Sequence, residues 1–132
     1  MAKYTILIVI FLIMILPFSQ TMAASDDICA EMKEADQRLN AAYQTVMHSE
    51  KIDAQAKNAI KKAQRAWIAF RDAHVESIFP GENLVQKYGT AYKLCTCITI
   101  QKLTEDRIQQ LKFWIDGVQE GDVCSGSSFT KK

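Results

Sequence analysis

The strongest constraint on this chain is one apolar spacing, alternating four and three residues, that recurs three times. Between Asp26 and Met47 it runs through Ile28, Met32, Ala35, Leu39, Ala42 and Val46, with Tyr43 and Met47 alongside. This period places the apolar side chains on one face of a helix. Asp26 or Asp27 is a fitting N-cap, and the acids that follow suit the positive end of the helix dipole. The pattern stops near His48-Ser49 and restarts through Ala56, Ile60, Ala63, Trp67, Phe70, His74 and Ile78, with Ser49 or Asp53 as cap. This second stretch is rich in Ala, Lys, Gln and Arg, and Pro80-Gly81 ends it. After a polar loop to about Gly89, a third helix carries Leu94, Ile98, Ile100, Leu103, Ile108, Leu111, Trp114, Ile115 and Val118, closing near Gly117 or Gly121. The run from Leu94 to Ile100 also suits a strand, but a single strand has nothing to pair with. The expected fold is therefore all-α, a three-helix up-down-up bundle with antiparallel neighbours.

The leading segment bears on compartment. Lys3 precedes an unbroken apolar run from Ile6 to Leu16, ended by Pro17, and small residues Ala23 and Ala24 precede Ser25-Asp26-Asp27. That order is the secretory signal pattern, and the run is shorter than the roughly 20 residues of a membrane span. The expected organisation is a signal peptide at 1–23, a helical domain at 24–124 and a flexible tail at 125–132. No membrane span is expected after cleavage, and Asp26-Asp27-Ile28 before Cys29 argues against a lipid-anchored cysteine. The chain has 16 Lys and Arg against 15 Asp and Glu. So near-neutral a charge gives no electrostatic basis for nucleic-acid binding.

Export to the periplasm or beyond makes disulfides the expected state of Cys29, Cys95, Cys97 and Cys124. Cys29 begins the first helix, and the third helix enters beside it carrying Cys95 and Cys97, so a bridge from Cys29 to either is geometrically easy. Cys124 lies past the far end of that helix, ~30 Å from Cys95 along the axis. It reaches back only if the tail folds over, so one or two disulfides are expected. Cys95 and Cys97 are too close in sequence to bridge without strain. No second ligand cluster accompanies them, so neither a metal nor a cofactor is expected.

Catalytic motifs are missing from the sequence: there is no Gly-x-Ser-x-Gly elbow, P-loop, His-Glu-x-x-His or Gly-x-Gly-x-x-Gly. His48 and His74 stand on different helices, and adjacent acids such as Glu105-Asp106 point about 100° apart. A non-catalytic protein is expected. The polar residues that stand out lie on or beside the apolar stripes: Asp36, Asn40, Arg71, Asp72, Thr104 and Arg107. Arg107, between Leu103 and Leu111, needs carboxylate or carbonyl partners, and Asp36 or Asp72 are the natural candidates. The reading is an inter-helix polar clamp; a ligand site is the alternative.

These residues also carry a resemblance. Asp36-x-x-Leu39-Asn40-x-x-Tyr43, Ala63-Gln64-Arg65-Ala66-Trp67-Ile68-Ala69-Phe70-Arg71-Asp72-Ala73 and Leu103-Thr104-x-x-Arg107-x-x-x-Leu111 resemble, in order, the lysozyme inhibitor LprI N-terminal domain family. The resemblance implies an exported bacterial helical domain, with lysozyme as the implied protein partner. The sequence also departs from the family pattern. Val75 or Glu76 stands where members often carry a cysteine, an upstream cysteine is missing, and Cys124 is extra, so no disulfide scheme carries over. Under this reading the acidic start of the first helix supplies a rim for a cationic lysozyme. The loop Pro80–Gly89 supplies a plug, with Glu82, Lys87 and Tyr88 as partner-binding residues and the last two reaching cleft carboxylates. A cell-envelope or secreted interaction module with a different protein partner is the alternative.

Overall fold

A computed structural model describes residues 23–130 of the chain. The signal peptide expected at 1–23 falls almost entirely outside the described residues.

All regular structure among the described residues is helical: α1 (Ala23–His48), α2 (Ala54–Ile78), α3 (Leu84–Tyr88) and α4 (Tyr92–Asp116). The expected helix pattern is met by the three long helices, and the loop adds a fourth, short one. The run from Leu94 to Ile100 is helical, since helix–helix burial offers its apolar residues neighbours that a lone strand lacks. α1 begins before Asp26 and Asp27, which therefore lie inside the helix rather than cap it. For α2 the cap is Asp53, not Ser49: its Oδ1 accepts the Ala56 N–H at 2.7 Å, satisfying a donor that helix geometry leaves orphaned.

α1 packs mainly along α4, and α2 leans on that pair with far fewer contacts. Cys29 meets Cys97, Glu31 meets Gln101 and Arg38 meets Glu105, so residue numbers rise together along α1 and α4. They fall along α2, where Arg71 meets Asp36 and Gln64 meets Arg107.

Burial is uneven along the molecule. Leu39 and Val46 from α1, Ile52, Ala56 and Ile60 from the turn and start of α2, and Leu111 from α4 form the apolar cluster, with Tyr43, Trp67 and Trp114 packed around it. This core sits where α1 ends, α2 begins and α4 ends. At the opposite end no residue of α2 beyond Gln64 is buried, and Ile68, Phe70 and Ile78 stay exposed. There the Cys29–Cys97 disulfide joins α1 to α4 across 68 residues of sequence. Cys95 and Cys124 are exposed free thiols, so of the four cysteines expected in bridges only two are paired. Cys124 stays at the far end, as the helix length dictates.

Residues 125–130, expected as a flexible tail, turn back against the bundle. Ser128 Oγ donates to the Phe113 carbonyl, Val118 N–H donates to the Phe129 carbonyl, and Lys51 Nζ lies 4.4 Å from the centre of the Phe129 ring. Gly117 permits this return. Its φ is +71°, and a Cβ there would sit 2.5 Å from the Phe129 ring.

Replacing both Cys29 and Cys97 by Ser should lower stability by about 2–4 kcal/mol, because the bridge closes a long loop in the unfolded chain. Urea unfolding of the oxidised protein and the double variant checks this; equal midpoints would contradict it.

Candidate functional site

The connection between α2 and α4, residues 79–91, lies at the disulfide end and is built as a compact unit. Pro80 and Gly81 stop α2, Asn83 adopts a left-handed φ of 55°, a conformation Asn tolerates better than most residues, and α3 follows at once. Gly89, with φ +78°, ends α3 and its N–H donates to the Val85 carbonyl. An aromatic cluster roots the loop: Phe79 makes edge contacts with Tyr88 and Tyr92, ring centres 5.5 and 5.7 Å apart.

The expected partner-binding residues divide into two kinds. Lys87 Nζ donates to the Pro80 carbonyl at 2.9 Å, and Tyr88 Oη donates to the same oxygen at 3.1 Å. The Lys87 ammonium also lies 5.1 Å from the centre of the Tyr88 ring. Both side chains thus bind the loop to its own start instead of projecting from it. Glu82 is exposed, and so is Val85, at 57% the most accessible large apolar side chain of the loop. Sequence reasoning passed over Val85, although an apolar residue in a polar loop was the available signal. Asn83, Leu84, Val85, Gln86 and Tyr92 line an open depression of about 600 Å³. Glu31 and Glu34, exposed on the third and fourth turns of α1, share this end of the molecule through the Cys29–Cys97 bridge.

The residues expected as a polar clamp are not one network. Arg71 holds an inter-helix ion pair: Nη1 lies 3.3 Å from Asp36 Oδ1, Nε lies 3.0 Å from Asp72 Oδ1 of its own helix, and the guanidinium stands over the Trp67 ring. Arg107, expected to meet Asp36 or Asp72, instead donates from Nε to Gln64 Oε1 at 2.9 Å and from Nη1 to Gln110 Oε1 at 2.7 Å. It lies nearer the core end than Asp36 does, and Gln64 occupies the facing position on α2. Burial lowers the Arg107 pKa from its usual value. Thr104 is fully buried and its hydroxyl has no hydrogen-bond partner, while Asn40 is exposed. Among the described residues no three His, Cys, Asp or Glu side chains gather as a metal site, and no helix is long and apolar enough to cross a membrane.

Because two donors share the Pro80 carbonyl, the pair Lys87→Ala and Tyr88→Phe should speed amide exchange at Lys87 and Gly89 about tenfold, equivalent to ~1.4 kcal/mol of local opening. Hydrogen-exchange mass spectrometry reads this, and the global unfolding midpoint should move little.

No curated protein and no solved structure matches the chain. The family model described as lysozyme inhibitor LprI matches residues 18–111, a span that takes in α1, α2, the loop and most of α4. The three sequence blocks noted above all fall within it, on α1, α2 and α4 in turn, and the chain belongs to the lysozyme inhibitor LprI family.

Proposed function

We propose that this protein is an exported, non-catalytic inhibitor of lysozyme, an up-down-up helical bundle that works in the periplasm or outside the cell by setting the loop 79–91 against the lysozyme cleft. Membership of the family, through the match over residues 18–111, is the observation that carries the reading. The construction of the loop supports it. Five residues of helix, an aromatic root and two donors on one carbonyl leave Val85 and Glu82 outermost with the backbone already ordered. Ordering before contact lowers the entropic cost of binding.

In this reading Val85 enters the cleft, and Glu82 with Glu31 and Glu34 faces the cationic surface around it. Lys87 and Tyr88 act as positioning residues. Charge complementarity of this kind raises the association rate and weakens with salt. The exposed apolar side chains Phe70 and Ile78 on α2 favour a second reading, an envelope or secreted module whose protein partner is not lysozyme.

The oxidised protein should inhibit a lysozyme of the common animal type at near-stoichiometric amounts, less so as salt rises. Val85→Asp should weaken inhibition about tenfold or more, since it places an uncompensated carboxylate against the cleft acids. A turnover assay on peptidoglycan, with circular dichroism to verify folding, gives the answer. Folded protein without inhibition would sink the lysozyme reading and leave the exposed Phe70 and Ile78 as the surface to pursue.

A further inference from the structure

Beside the core, a groove of about 220 Å³ lies between α2 and α4. One wall is mostly alanine: Ala56, Ala59 and Ala63 stand at turns of α2 with no side chain beyond Cβ, beside Ile60. The other wall is Trp114 and Arg107 of α4, and Ser127 of the returning tail closes one end. The groove lies at the core end, away from the loop 79–91.

Arg107 gives the groove its character. A guanidinium has five N–H donors, and this one uses two, both on neutral amide oxygens. No carboxylate pairs with it among the described residues, whereas Arg38 and Arg71 both pair with acids. Gln64, which holds its Nε, is itself buried, so the guanidinium is fixed in place by a built contact. A half-buried cation of fixed geometry with unused donors is matched by a carboxylate, which accepts two parallel N–H bonds from such a fork. The size of the groove limits the rest of the ligand. It is smaller than the roughly 300–1,000 Å³ of sites for drug-sized molecules, and its alanine wall allows close approach of a backbone. The Ser127 hydroxyl offers hydrogen bonding suited to a peptide group.

We propose that this groove binds the C-terminal carboxylate of a peptide that ends in small apolar residues. Arg107 takes the carboxylate, Trp114 and the alanines take the terminal methyl groups, and Gln64 positions the guanidinium. Capture of a chain end by fixed donors is a recurrent recognition mode. The site is independent of lysozyme inhibition and stands or falls without it.

The test uses the oxidised protein and three probes: N-acetyl-alanyl-alanine, its C-terminal amide, and acetate. Binding is followed by NMR through the Arg107 Nε–H and Trp114 indole N–H signals. The dipeptide acid should saturate these shifts, with the amide and acetate each about tenfold weaker or more. Arg107→Gln should abolish the response. Because that variant also disturbs Gln64, Ala63→Leu serves as the second: position 63 is exposed, so the added side chain fills the groove without opening the core. It should abolish binding with the melting temperature unchanged or higher. Equal binding of acid and amide, acetate binding as tightly as the dipeptide, or no saturable shift would each overturn the proposal.

Discussion

The disulfide between Cys29 and Cys97 does at one end of the molecule what apolar burial does at the other. A domain of this size removes only a modest share of its surface from water, and this one concentrates that share where Leu39, Val46, Ile52, Ala56, Ile60 and Leu111 meet. At the loop end α2 contributes no buried residue, so the packing of α1 along α4 and the bridge between them hold that end. The bridge supplies the constraint through the unfolded state, by shortening the chain's excursions rather than by adding contacts. The loop 79–91 hangs from the first turn of α4, five residues before Cys97, so its placement relative to α1 depends on that bond.

The same unevenness explains the lean of α2. Its first half is fastened into the core by Ala56, Ile60 and Gln64; its second half is tied by Arg71 to Asp36 and by partial burial of Trp67. An ion pair between partly exposed groups contributes little, so polar register takes the place of close packing there. Phe70 and His74 stack on each other at 5.6 Å, and Phe70 remains more than half exposed. A periodic apolar stripe guarantees a helix face, not a partner for every turn of it.

How much of this was legible in the sequence follows the range of each interaction. The long helices, the Asp53 cap and the stop before Pro80 are local, and the residue pattern contains them. Cys97 was also within reach. Cys97, Thr104 and Leu111 recur at intervals of seven and all are buried, whereas Cys95, two residues earlier, is turned about 160° away around the helix. Applying that interval would have chosen Cys97 over Cys95 as the partner of Cys29. The partner of Arg107 was beyond reach, because a shift of about two turns between α2 and α4 exchanges Asp72 for Gln64 opposite it. The inward folding of Lys87 and Tyr88 was equally hidden, since it depends on a short helix that five residues of sequence do not announce.

Under the proposed function, that last detail alters how the loop would work. A lysine reaching into a cleft of acids gains a strong contact but has to fix a long side chain and shed its water. Here the ammonium has already given up part of that freedom to the Pro80 carbonyl and the Tyr88 ring. What remains for a partner is a small apolar tip, Val85, on a backbone with few alternative shapes. Binding would then draw on shape and exclusion of water more than on ion pairing at the centre. Charges at Glu31, Glu34 and Glu82 would govern approach rather than grip. The disulfide, the aromatic root and the shared carbonyl all serve that one end, holding the tip still where little else in the fold would.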